Sequence, residues 1–184
     1  MSMKEAFDIY FEKVGNAAVF LRKKPFNEKL RHTGLFLTDT LDSEGYAEWK
    51  PVLQDRPADF AKAESRLGFK ISEQIKEYVS TYWFLYLDGH FVTETGIISL
   101  SLNMITQDTD IAELLSVYFN YEDTNCLSEH NLLLIGGFCC IEGDDGYLVM
   151  ADNETGEVTA VQPVDKKAVH LAGSIEELLK KMEL

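Results

Sequence analysis

From Glu77 to Asp165 the chain has no lysine and no arginine, while the same span carries sixteen Asp and Glu. Nothing in that half can neutralise phosphate, which excludes nucleic acid and anionic membrane as partners for a surface built from it. Over all 184 residues, 17 basic side chains face 31 acidic ones, a formal charge of -14. A field of that sign speeds encounter with basic proteins. The shortage of cations is uneven, because residues 1–31 hold seven Lys/Arg against four Asp/Glu, with Arg22, Lys23 and Lys24 in a row. That triplet falls at the end of the first helical pattern, where the helix dipole favours cations, so it reads as a helix-end charge cluster.

Cysteine is scarce as well. Cys126 and the adjacent Cys139-Cys140 make an odd and partly neighbouring set, a poor disulfide framework that points to a reducing compartment. In a strand the two neighbours face opposite ways, so they cannot hold one ion together and read as small buried apolar residues. No apolar run approaches the roughly 18–20 residues that cross a bilayer, and the N-terminus lacks the core of a signal peptide. The expectation is a cytoplasmic protein with at most peripheral membrane contact.

Motifs of catalysis and ligation are missing too. There is no nucleophile elbow, no phosphate loop with its lysine and no dinucleotide fingerprint. Gly136-Gly137 leads into Phe138-Cys139-Cys140, a second stretch of strand, and therefore offers no phosphate cradle at a helix start. His32, His90, His130 and His170 stand singly, without metal-ligand spacing. Asp144, Asp145, Asp152 and Glu154 suggest calcium, but their spacing is not that of a helix–loop–helix calcium site, and turn-forming carboxylates explain them better. The sequence assigns no catalytic residue, no cofactor and no metal.

What is present is a folded core. Hydrophobic residues make up 46% of the chain, too many for a disordered acidic tail, and no linker or repeat divides residues 1–184, which read as a single domain. Phe7, Tyr10, Phe11, Val14, Ala18 and Leu21 predict a helix that ends before Pro25. Residues 34–38 and 46–51 alternate around the Asp42–Gly45 turn and predict a short hairpin. A helix opened by Pro57 carries Phe60, Ala63, Glu64 and Leu67 and stops at Gly68. A third follows from Ser72 with Ile75, Tyr78, Val79 and Tyr82 on its apolar stripe.

Strands are predicted at 91–93 and 96–102, then a helix from Asp110 with Ile111, Leu114, Leu115 and Tyr118, then an acidic loop at 122–130. The apolar run 132–135 reads as a central strand, joined by turns at 143–146 and 152–156 to strands at 147–150 and 157–161 in an antiparallel meander. A last helix, capped by Ser174 and Glu177, buries Ile175, Leu178, Leu179 and Met182. This order predicts an α+β fold with a single, mostly antiparallel sheet flanked by helices.

Two segments carry a family resemblance. Ala63–Tyr78 places Glu64-Ser65-Arg66-Leu67-Gly68 at a helix end, followed by Phe69-Lys70-Ile71-Ser72 and a second helix. Downstream, Leu133–Gly136, Asp144–Gly146, Tyr147–Val149 and Asn153–Val158 run into the closing helix. In order and spacing these resemble the SUKH superfamily. Trp49 before Pro51, the N-terminal helix and His170-Leu171-Ala172 before the last helix are similar to its Syd branch. The resemblance covers nearly the whole chain and implies an α+β fold with one helix-flanked sheet. It also implies a non-catalytic role: many members resemble immunity proteins against bacterial toxins, often nucleases, while Syd binds cytosolic loops of the SecY channel.

Charge and resemblance lead to one expectation, a protein-binding module whose acidic concave face captures a basic partner. A nuclease site must be basic to hold phosphate, so an acidic plug fits it. Glu122, Asp123, Glu142, Asp144, Asp145, Asp152 and Glu154 are the candidate contacts. The alternatives are a partner of SecY loops, with Arg22–Lys24 touching lipid, and, from another class, an acidic hydrolase with paired carboxylates. Tyr82, Trp83, Tyr118, Phe119 and Tyr121, at helical spacing, read as core before interface anchors.

Overall fold

A computed structural model describes residues 1–56, 58–93, 96–116, 131–141, 143–163 and 167–184. Helix α1 (Met3–Asn16) starts on a capping box, in which the Ser2 hydroxyl accepts from the Glu5 N–H and the Glu5 carboxylate accepts from the Ser2 N–H. It buries Met3, Ala6, Phe7, Tyr10 and Val14, each large side chain contributing about 1.5–3 kcal/mol by leaving water. The helix is shorter than the apolar spacing predicts. Ala18 and Leu21 are exposed in and beside a 3-10 turn at Val19–Arg22, and the chain then extends as β1 (Lys23–Pro25).

That extension corrects the reading of the basic triplet. β1 pairs antiparallel with β2 (Tyr46–Glu48), matching Lys23 to Glu48 and Lys24 to Ala47. Lys23 holds Asp42 at 2.9 Å and Lys24 holds Asp88, so neither serves a helix end. The predicted hairpin is corrected in the same way: β2 takes β1 as its ladder partner, and residues 34–38 add a single bridge, Phe36 to Trp49, on its far side.

β3 (Val52–Leu53) leads to α2 (Phe60–Leu67), whose N-cap is Asp59. Pro57 lies outside the described residues. Gly68 ends α2 with φ 83°, the left-handed conformation that its sequence position predicts. α3 (Glu73–Thr81) buries Ile75, Tyr78 and Val79 as expected, but Tyr82 leaves the helix to form β4 (Tyr82–Trp83), which pairs with β3. Tyr82 still packs on Phe7 and Phe11, and Trp83 is buried.

The main sheet follows. β5 (Leu87–Val92), β6 (Ile97–Leu102), β7 (Leu132–Ile141), β8 (Asp144–Asp152), β9 (Val158–Gln162) and β10 (Lys167–Ala172) pair antiparallel in the order β10-β9-β8-β7-β6-β5. The apolar run at 132–135 is central, as read, although its strand continues through Gly136 to Ile141 by way of register shifts. At Gly136 a Cβ would stand 2.6 Å from the Ser101 carbonyl oxygen, so the close approach of β6 requires glycine. β10 is absent from the sequence reading. Its accessible, basic start gives no alternating signal, because it is an edge strand with only Leu171 and Ala172 buried.

The inner face of the sheet, including Leu87, Leu100, Leu102, Leu133, Ile135, Val149 and Ala160, joins one core with the apolar faces of the helices. A smaller cluster of Leu134, Leu148, Met150 and Val161 lies on the opposite face. α4 (Ile111–Ser116) contacts β7, and α5 (Ile175–Lys181) packs against α1. Asp110 and Ser174 cap these helices as predicted. Tyr118, Phe119 and Tyr121 and the loop at 122–130 lie outside the described residues.

The end of α5 fastens the curled sheet. Lys13 donates to the carbonyls of Lys180 and Met182, each at 2.8 Å. Glu183 then exchanges two 2.7 Å backbone hydrogen bonds with His90 on the outer edge of β5, while Lys181 reaches the Leu171 carbonyl on β10. Gly89 makes this passage possible, since a Cβ there would meet the Glu183 carbonyl oxygen at 2.9 Å. The fold is α+β with a mostly antiparallel sheet and flanking helices, and two two-stranded ladders stand outside the main sheet. No helix among the described residues is long and apolar enough to cross a membrane.

Candidate protein-binding surface

The candidate carboxylates that are described sit on the two hairpins of β8. Asp144 opens the strand just after Gly143, is exposed, and pairs with Ile141 across the β7–β8 hairpin; Asp145 is the next strand residue, opposite Cys140. Asp152 closes the strand, and Glu154 follows in the β8–β9 turn. Glu122, Asp123 and Glu142 lie outside the described residues. Eight steps of about 3.4 Å along the strand put Asp152 up to about 27 Å from Asp144. The described candidates therefore form two groups. Such a separation far exceeds the 5–10 Å or so that glycoside chemistry allows, so Asp144 cannot act as a catalytic pair with Asp152 or Glu154.

The two groups differ in what they do locally. Asp152 is a turn builder: one carboxylate oxygen accepts from the N–H groups of Glu154 at 2.8 Å and Thr155 at 2.7 Å, while Gly156, at φ 81°, donates to its carbonyl. Asp144 and Glu154 are exposed and have no cation within ion-pair distance among the described residues.

The turn after β8 also docks the helices. Asn153 accepts from the Ser72 N–H at 2.7 Å and donates to the Lys70 carbonyl at 2.8 Å. Ser72 is the N-cap residue of α3, as read, but its hydroxyl makes no capping bond. On the other side of this link Glu64, only 8% exposed, accepts from Lys70 at 2.6 Å and from the Ile71 N–H at 3.2 Å, with Lys76 3.1 Å away. The Lys70 hydrogen bond is the main reason its carboxyl is held down to about 2. The two sequence segments that carry the family resemblance thus meet in space at a structural clamp. Its partners are far apart in sequence, and nothing local marks Glu64 or Asn153 as members of it.

A second region has the residue types of chemistry without their coupling. Asp88, His90 and Ser99 line a cleft of about 300 Å³ with Tyr10, Lys24 and Tyr86. The Asp88 carboxylate is taken by Lys24, and no hydrogen bond links the side chains of His90 and Ser99. Burial pushes the Cys139 thiol up to about 12, away from the reactive thiolate, while Cys140 on the other side of the strand is partly exposed. Among the described residues no group of three His, Cys, Asp or Glu is placed to hold a metal. No protein-family model matches the chain, and no curated protein matches it in sequence.

Proposed function

We propose that this protein is a non-catalytic binding module for a basic protein, and that its first role is that of an immunity protein against a nuclease-type toxin. The observation that carries the reading is the cation-free span from Glu77 to Asp165, whose described members Asp144 and Glu154 stand exposed and unneutralised at the two ends of β8. Exposed carboxylates without counter-ions raise the rate of encounter with a basic surface and select against acidic ones. The likeness of the Glu64–Tyr78 and Asn153–Val158 segments to the SUKH superfamily supports the same reading.

In the alternative role at SecY loops, Lys23 and Lys24 are engaged by Asp42 and Asp88, which leaves Arg22 as the one member of that basic triplet without a carboxylate partner among the described residues. A pull-down from native cytosol at low and moderate salt, read by mass spectrometry, tests the proposal. A basic toxin domain retained at low salt and lost as salt rises supports it. Retention of SecY in its place transfers the module to the alternative, and recovery of no basic protein at either salt removes the reading.

A further inference from the structure

The six-stranded sheet curls without closing, so β5 and β10 remain its two edges. They face each other across a groove of about 550 Å³. Residues 90–93 of β5 form one wall, His170 and Leu171 of β10 form the other, and Lys181 and Glu183 from the end of α5 stand between them. Edge strands present N–H and C=O groups that another chain can take up, and proteins usually cover or blunt them. Part of this is done here. On β5 the Asp88 carbonyl accepts from the Tyr10 hydroxyl at 2.8 Å and His90 is paired with Glu183, while on β10 the Leu171 carbonyl accepts from Lys181 at 3.4 Å.

The phase of the ladders shows what is left. In an antiparallel strand the backbone groups of alternate residues point to opposite neighbours. His90 exchanges its two hydrogen bonds with Glu183 on the outer edge, so the N–H and C=O of Val92, two residues on, point the same way. On the other side, the Asp152 N–H donates to the Glu157 carbonyl, which sets Thr159 and Val161 to bond β8 and leaves Ala160 and Gln162 to bond β10. Their partners there are Val169 and Lys167, so Ala168 and His170 turn their backbone groups outward. The outward groups of Val92, Ala168 and His170 have no partner among the described residues.

Two edges with free donors and acceptors, facing each other, call for backbone. Water would satisfy those groups but leave Val92 and Ile97 bare, at 74% and 56% exposure, where they stand as a cross-strand pair beside the groove. Such a pair is covered best by β-branched or aromatic neighbours. Lys181 and Glu183 already hold Glu177 and Lys13, so neither asks for a charged occupant. Glu183 itself shows that the edge accepts an antiparallel strand residue, and the open stretch is continuous with it.

We propose that this groove is a strand-addition site. An extended, uncharged segment of another protein, with β-branched or aromatic residues at alternate positions, pairs antiparallel with β10 through Ala168 and His170 and lies against Val92 of β5. Main-chain hydrogen bonds give such a site its affinity, and the alternate side chains give it its preference. It uses none of the β8 carboxylates, so it does not depend on the reading above.

The test titrates the ¹⁵N-labelled full chain with the end-blocked peptide Thr-Val-Thr-Tyr-Thr-Val, read by amide shifts and hydrogen exchange. The expected result is a saturable shift, with exchange slowed at least tenfold at Val92, Ala168 and His170 and unchanged in β7. The same peptide N-methylated at every second residue keeps its side chains and loses the donors of one edge. One of the two methylation frames should bind at least tenfold more weakly. Ala168→Pro, which removes an N–H that β9 does not use, should weaken binding of the parent peptide to the same degree, its unfolding midpoint being checked; the methylated peptides decide the matter should that variant be unstable. Absence of a saturable shift, shifts that map away from these edges, or equal binding of the parent peptide and both methylated frames overturns the proposal. Broadening of the same three amides that grows with protein concentration, without peptide, assigns the edges to a second copy of the chain and overturns the foreign segment as occupant.

Discussion

Glu64 shows how one carboxylate can matter without being a contact for any partner. Two lysines and a backbone N–H converge on it while it is shielded from water. Its folded-state carboxyl is depressed to about 2 from the ordinary glutamate value of 4.5. Its contribution to stability is therefore present above pH 4.5 and is lost as pH falls through about 2. Glu64→Gln should unfold at lower denaturant concentration than the parent at pH 7, with the gap closing between those two pH values in a series of urea titrations. Asn153→Ala removes two hydrogen bonds at once, and should cost about 1–3 kcal/mol, read as the shift in midpoint at constant slope. Neither role was legible in the sequence, where Glu64 and Asn153 stood out only as parts of the two segments that carry the family resemblance. Their meaning comes from partners distant in sequence, Asn153 lying 81 residues from Ser72.

At the level of elements, legibility followed local chemistry. α2, α3 and α5 were readable because each has a stop, a cap or an apolar stripe written within its own few residues, such as Gly68 or Ser174 with Glu177. Most of the β7–β8–β9 meander was readable for the same reason, through the turn at 152–156, but β8 already begins at Asp144, inside the turn read at 143–146. β1 and β10 were not, since each owes its extended form to a neighbour: β2 for Lys23–Pro25 and β9 for Lys167–Ala172. Tertiary pairing overrode a helical pattern in the first case. Two glycines make the element contacts testable. Gly136→Ala pushes a methyl group against the β6 backbone and should cost about 1–3 kcal/mol, measured by thermal unfolding. Gly89→Ala should detach the end of the chain from β5 and speed amide hydrogen exchange at Glu183, leaving exchange in β7 and β8 slow.

For the whole molecule, the charge imbalance was plain from composition, but its placement was not. The candidate residues are scattered in sequence, and only the length of β8 reveals that the described ones fall into two groups up to about 27 Å apart. An interface of ordinary size, about 800 Å² on each partner, is wide enough to reach both ends. Asp144→Lys and Glu154→Lys are too distant to couple, so their effects on association with a basic partner should add. Each should slow association, measured by stopped flow at low salt, more than it speeds dissociation. Together they should flatten the salt dependence.

The seam between His90 and Glu183 has a consequence for how the chain is made. α1 leaves the ribosome well before α5, one of the helices it packs against, and the outer edge of β5 gains its backbone partner only from Glu183. A nascent chain stalled before Ile175 would hold the sheet-forming segments with β5 unsealed and one side of α1 uncovered. Completion of this fold is therefore an event that follows synthesis of residues 175–184, however early its helices and hairpins begin to form.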